Sequence, residues 1–269
     1  MYIALDFNKK RVSIENSSRE CEYFCPICGE KLIIRAIDSK SVRKHFAHKR
    51  NTICFDDFTH DMSEWHYNWQ LKFPEDTREI VVEKNGIKHR ADILINNTVI
   101  EFQHSPITSD EIKKRNEFYL ACGYNMVWVF DANDKIKNEF GKSINPLECS
   151  NYDLVWKRKK SQFYDIMPNG VLVFLDYKIS FVYTNREYNN IDVLILLKNV
   201  DEKFINFYDT TPNLIFHCNF LKQFGVSKEK VLSISEIFEK HKEYESIIKQ
   251  QKRSQIVIFN HKRGRNWHL

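Results

Sequence analysis

Apolar positions between residues 60 and 131 change period, and each change marks an element. Trp65, Trp69 and Phe73 recur every four residues until Pro74, which predicts an amphipathic helix of about three turns. Asp61 is the expected cap, with Glu64 three residues on. Two polar stripes run along this helix, His66 with Gln70 and Glu64 with Asn68 and Lys72, and only one of them is expected to face a given site. The period then falls to two. Residues 79–83 precede an Asn85-Gly86 turn and a strand from Ile87 to Ile95; a second tight turn at Asn96-Asn97 leads into Thr98–Gln103. Thr108 and Glu111 form a capping box for a helix through Cys122 that Gly123 closes. Residues 124–130 are an apolar strand of the kind buried inside a sheet. The order is α-β-β-β-α-β.

With Asn96 and Asn97 as the loop residues, Ile95 pairs with Thr98, Leu94 with Val99 and Ile93 with Ile100. Asp92 then lies opposite Glu101. Directly opposed residues of an antiparallel pair hold their Cβ atoms about 4.5–5.5 Å apart, where like charges destabilise. Two acids among so many apolar neighbours need a partner, and a divalent cation removes the penalty. Gln103, two residues past Glu101, falls on the same face and offers a neutral amide. Arg115 and Tyr119 are one turn apart on the second helix and project together.

Upstream, Cys25-Pro26-Ile27-Cys28-Gly29 precedes His45-Phe46-Ala47-His48. Two short ligand pairs joined by a loop suit tetrahedral zinc, which assigns Cys25, Cys28, His45 and His48 to a knuckle or ribbon. Cys21 and Cys54 flank it, as replacement ligands or as buried thiols.

Composition narrows the class. Aromatic residues make up 14% of the chain while Gly and Pro number only 7 and 6, which excludes disordered and collagen-like chains. No apolar stretch is long enough to span a bilayer and the start lacks a signal-peptide pattern, so the expected location is cytoplasmic, with reduced thiols and no membrane partner. The net charge of +5 is unevenly spread. From Ser246 onward Lys249, Lys252, Arg253, Lys262, Arg263 and Arg265 face no acid, a pattern that fits a polyanion-binding tail; residues 157–160 form a second basic cluster. Past Ala132 the reading is coarser. Strands are expected at 171–177 and 181–184 around a short turn, at 191–198 and at 204–208, with a helix at 233–250 and an apolar run at 256–259. These make an α+β region, either a second domain or an extension of the first sheet. His217 and Cys218 are read as core or surface residues. The expected division is 1–59, 60–148 and 149–269.

The succession CPICGEKL, HFAH, SEWHYNWQLKFP, HRADILI, IEFQHSPI and KRNEFYLACGYNMVWVF, over about residues 20–131, resembles the CoiA-type competence protein family. That resemblance implies a zinc knuckle ahead of a nuclease-like PD-(D/E)XK core, and the α-β-β-β-α-β order agrees with it. The overall class is α/β to α+β. By the resemblance, Asp92 and Glu101 are the motif acids and ligands of Mg2+ or Mn2+, and Gln103 stands where most members of the superfold carry Lys. His66 matches the His of the first helix, Gln70 a position often Lys, and Arg115 and Tyr119 positions on the following helix. The expected activity is metal-dependent phosphodiester hydrolysis, on DNA, in competence or defence. Catalysis is assigned to Asp92, Glu101, Gln103 and His66, and substrate contact to Gln70, Arg115, Tyr119 and the tail cations Lys262, Arg263 and Arg265. The alternative is a zinc-containing nucleic-acid-binding protein without turnover; a zinc-stabilised adaptor accounts for the knuckle but not for the acid pair.

Overall fold

The computed structural model describes residues 1–40, 42–50, 52–54, 62–132, 153–155, 171–183, 186–196, 204–206 and 214–226. The basic residues 157–160, the expected helix at 233–250, the run at 256–259 and the tail cations Lys262, Arg263 and Arg265 lie outside them. So does Asp61.

Five short strands, β1 (Ile3–Leu5), β2 (Arg11–Ser13), β3 (Tyr23–Phe24), β4 (Lys31–Arg35) and β5 (His45–His48), form an antiparallel sheet in the order β2-β1-β3-β4-β5. Its core is Tyr2, Ala4, Ile14, Tyr23, Leu32 and Phe46, joined by Tyr67 from the helix that follows. That helix, α1 (Glu64–Leu71), is shorter than the apolar spacing suggests. Ser63 caps it, accepting from the His66 amide, in place of Asp61.

The second sheet has seven strands. β6 (Arg78–Lys84), β7 (Ile87–Ile95) and β8 (Thr98–Gln103) form an antiparallel meander, α2 (Ser109–Ala121) crosses over, and β9 (Asn125–Asp131) returns parallel to β8. The two hairpin turns have the signs that a type I′ turn needs, with φ of 52° and 78° at Asn85 and Gly86, and of 47° and 59° at Asn96 and Asn97. Register follows from the turns: Ile95 pairs with Thr98, Leu94 with Val99 and Ile93 with Ile100. Every residue of β8 is buried, whereas β7 largely alternates.

The sheet does not stop at residue 148. β11 (Leu172–Tyr183) lies parallel beside β9, followed outward by β12 (Arg186–Leu196) and β14 (Leu214–Phe216), giving the order β14-β12-β11-β9-β8-β7-β6. Of the described strands beyond residue 148, β11, β12 and β14 thus continue the seven-stranded sheet. β11 also runs through residues 178–180, where a turn was expected. A bulge between Ile179 and Phe181 breaks the alternation there, and the polar Lys178 and Ser180 imitate a turn in sequence. Elsewhere β10 (Asp153–Val155) pairs with β13 (Phe204–Asn206) as a small separate sheet. Trp69 of α1, Phe73 just past its end, and Phe220 and Leu221 of α3 (His217–Gln223) form a core with Ile93, Ile100, Phe102, Val127, Val129, Phe174 and Leu194. Among the described residues no helix is long and apolar enough to cross a membrane.

Glu79 joins the two sheets. Its carboxylate, 2% exposed, accepts from the Tyr2 amide at 3.0 Å with each oxygen and from the Ile3 amide at 3.0 Å. Its φ of 45° is strained for a residue with a Cβ, at a cost of about 1–3 kcal/mol that the surroundings must offset. Substituting Glu79→Gln keeps the shape but removes the charge from three buried hydrogen bonds. A loss of about 2 kcal/mol is expected in urea unfolding; a change under about 0.5 kcal/mol, the range of ordinary surface substitutions, would contradict the tie.

Candidate active site and metal centre

The knuckle lies where β3 turns into β4. The Cys25 amide donates to the Glu30 carbonyl at 2.8 Å and the Gly29 amide to the Cys25 carbonyl at 2.9 Å, with Gly29 at φ 75° closing the turn. Four side chains converge: the ligand atoms of Cys25, Cys28, His48 and Cys54 all lie within 4.8 Å of one another. Cys25 Sγ is 4.0 Å from Cys54 Sγ, and Cys28 Sγ is 3.3 Å from His48 Nε2. A tetrahedron with Zn–S bonds of about 2.3 Å separates its sulfurs by about 3.8 Å, so this group could hold a zinc ion. His45 does not belong to it. Residues 45 and 48 of one strand point to opposite faces, and His45 Nδ1 instead contacts the Arg43 carbonyl at 2.8 Å. Cys54 takes the fourth place. Burial pushes the Cys25 thiol up to about 12, so thiolate formation there calls for a bound cation. Burial and the nearby Arg90 charge lower His48, favouring the neutral ring that ligates metals.

At the second centre the β7–β8 ladder opens where the acids begin. Beyond the Ile93–Ile100 pair, backbone amides turn to carboxylates: the Phe102 amide donates to Asp92 Oδ2 at 2.9 Å and the Asp92 amide to Glu101 Oε1 at 3.4 Å. Each acid is held by a different helix. From α1, His66 Nε2 lies 2.9 Å from Asp92 Oδ1, and Gln70 Nε2 donates to the same oxygen at 3.3 Å. From α2, Arg115 Nη1 donates to Glu101 Oε2 at 2.7 Å while its Nη2 reaches Glu111 Oε1 at 2.8 Å. The His66 and Gln70 stripe is therefore the one turned to the acids; Glu64 points outward to Arg43, 3.6 Å away.

Burial and the Asp92 charge push Glu101 up to about 8, against the pull of Arg115. Burial also acts on Asp92, but His66 and the Phe102 amide outweigh it and hold that carboxyl below its usual range. The pair thus divides into a tight acid and a loose one. Because Glu101 keeps its proton more firmly folded than unfolded, its contribution is full below the ordinary value of 4.5 and is lost as pH rises towards 8. Asp92 acts oppositely, losing its contribution only as pH falls below 3.8. Without added divalent cations, the protein is expected to resist urea better at pH 5 than at pH 8, and Glu101→Gln to flatten that slope. An unchanged slope in the variant would contradict the assignment.

Arg115 and Tyr119 do not stand where substrate contact was expected. Arg115 is 4% exposed and committed to two carboxylates, while Tyr119 is fully buried with its ring against Phe118. Gln103 shares the face of Glu101, but its Nε2 donates to the Ser105 carbonyl at 2.6 Å. Two further His–Asp pairs have their acids side by side on the interior strands β9 and β11. His104 Nδ1 meets Asp131 Oδ2 at 2.6 Å, and His217 Nε2 meets Asp176 Oδ1 at 2.8 Å. No local spacing announces either pair, since the partners are 27 and 41 residues apart.

Residues 67–186 match the family described as the nuclease-like domain of competence protein CoiA, and residues 6–55 match its N-terminal domain. No curated protein and no solved structure matches the chain. The first match contains Gln70, Asp92, Glu101, Gln103 and Arg115 and continues through β11; the second contains all four members of the Cys/His group. Together they span more than half of the chain in the order knuckle then acid site, and the protein belongs to the CoiA competence protein family.

Proposed function

We propose that this protein is a metal-dependent nuclease of the PD-(D/E)XK type acting on DNA in competence or defence, with Asp92 and Glu101 as its cation-binding acids. The observation that carries the reading is the opened β7–β8 ladder, where a buried carboxylate, Glu101, and a partly buried one, Asp92, share one site on neighbouring strands inside a nuclease-like domain. The donor set fits a hard cation: Asp92, Glu101 and the Phe102 carbonyl are all oxygen ligands. Among the described residues two carboxylates converge, which leaves room in a cation's shell for water and a phosphate oxygen. Mg2+ or Mn2+ held there would supply an acidified water and offset charge growing on the phosphate.

The chain's own groups do the rest. Arg115 keeps one edge of Glu101 fixed, so that its other oxygen stays towards Asp92. His66 and Gln70 orient Asp92 from α1, and the 14% exposure of His66 leaves it within reach of water or a phosphate oxygen. Gln103, where the superfold carries Lys, orients water by hydrogen bonding rather than by charge. The tail cations Lys262, Arg263 and Arg265 add affinity for a polyanion. Zinc at Cys25, Cys28, His48 and Cys54 stabilises the N-terminal sheet.

A second reading is a nucleic-acid-binding scaffold without turnover. It is favoured by the pairing of both acids with internal partners, His66 and Arg115, and by the commitment of Gln103 to Ser105. Incubating labelled DNA with Mg2+ or Mn2+ separates the two: cutting supports the nuclease, and binding without cutting supports the scaffold.

A further inference from the structure

Outside the acid site, a largely enclosed polar cluster is centred on Asp176 in β11. One oxygen, Oδ2, accepts from both tryptophans of α1, Trp65 Nε1 at 2.7 Å and Trp69 Nε1 at 2.8 Å. The other, Oδ1, faces His217 Nε2 at the start of α3, and the side chains of Asp176 and His217 are 10% and 13% exposed. A buried indole N–H needs an acceptor, but packing does not require that two indoles a turn apart share one oxygen. Apolar burial holds Trp69 in the core of the seven-stranded sheet but does not fix where its indole N–H points. α1 has only eight residues, and Tyr67 on another side packs into the N-terminal sheet instead.

Trp65 and Trp69 immediately precede His66 and Gln70, the two α1 residues that reach Asp92. Successive helical residues are about 100° apart around the axis, so fixing the tryptophan stripe fixes the roll of the neighbouring stripe. The Trp69 ring also stacks on Phe102, with centroids 5.3 Å apart, and lies 4.4 Å from the His217 ring. Asp176 thus connects β11 and α3, through Trp69, to the Phe102 side chain of β8, next to the acids.

We propose that Asp176, backed by His217, is a positioning residue for the acid site: it locks the roll of α1 and so sets His66 and Gln70 on Asp92. This gives the strands beyond residue 148 a task within the site. It rests on the nuclease reading for its catalytic consequence but not for its structural one, and the test keeps the two apart.

The full-length protein, labelled with 15N-histidine, is compared with Asp176→Asn, Trp65→Phe and Asp92→Asn, with Met126→Ala as a control for general loosening. In Asp176→Asn, and less so in Trp65→Phe, the His66 ring nitrogens are expected to move towards their positions in Asp92→Asn while those of His48 and His89 stay. On DNA with Mn2+, kcat is expected to fall about 10-fold with KM within about twofold, the size typical of losing an outer supporting contact. His66 signals unmoved in both Asp176→Asn and Trp65→Phe would overturn the proposal, as would an equal movement in Met126→Ala. If His66 moves but the native protein cuts nothing in any metal, the positioning role stands and the nuclease reading falls.

Discussion

Cys54→Ser is expected to strip the protein of bound zinc, whereas His45→Ala is expected to leave one zinc per chain. Cys54 Sγ sits 4.0 Å from Cys25 Sγ, while strand parity turns His45 to the other face. Structural zinc contributes on the order of 10 kcal/mol to small zinc-folded domains, comparable to the whole stability of many domains. The site is built into the N-terminal core, with Cys25 1% exposed among Tyr23, Leu32 and Phe46. Loss of the ion should therefore lower Tm by about 10 °C or more. Elemental analysis of the purified variants beside thermal melts checks both halves. Zinc retained in Cys54→Ser and lost in His45→Ala would restore the two-pair ligand set that the sequence suggests.

Arg115→Met should be the most costly substitution in the nuclease-like domain. The guanidinium is 4% exposed and donates to Glu101, 2% exposed, and to Glu111. Above about pH 8, where Glu101 is ionised, removing one partner of this buried ion pair leaves an uncompensated charge and costs about 3–5 kcal/mol. Glu101 would respond by holding its proton still more firmly. Adding Glu101→Gln to Arg115→Met removes the stranded charge and should recover much of the loss, which a double-mutant cycle by urea unfolding measures. Mn2+ should also recover part of it if the acids hold the cation, by favouring the folded state that binds it. A single-variant cost below about 1 kcal/mol, the size of an exposed ion pair, would show that Arg115 is no counter-ion.

The structural features that were legible in the sequence are those set by neighbours in the chain. Two turns with φ above zero at Asn85, Gly86, Asn96 and Asn97 dictate the β6–β7–β8 meander, and from the second turn the register places Asp92 beside Glu101. The Thr108 capping box places α2 in the same way, the Thr108 side chain accepting from the Glu111 amide. What depends on distant partners was not legible. HFAH reads as a chelating pair until its strand conformation separates the two imidazoles by parity, and of the two flanking cysteines read as replacement ligands or buried thiols it is the fold that selects Cys54. Arg115 looks like a surface cation on helix patterning; only the packing of α2 on the sheet shows it enclosed. Asp176 receives indoles 107 and 111 residues away, a convergence no local pattern encodes.

The central claim, that Asp92 and Glu101 hold the cation for phosphodiester hydrolysis, meets its most direct test in cleavage of labelled single-stranded, duplex and branched DNA, and of RNA. Each is incubated with Mg2+ or Mn2+ and the native protein, Asp92→Ala or Glu101→Ala, with circular dichroism confirming that the variants fold. The account predicts metal-dependent cutting of DNA by the native protein and a loss of about 1,000-fold or more in both variants, because water activation and charge neutralisation vanish together with the cation. DNA bound tightly by the native protein and left intact in every metal would contradict it, and would make the paired acids part of a binding scaffold.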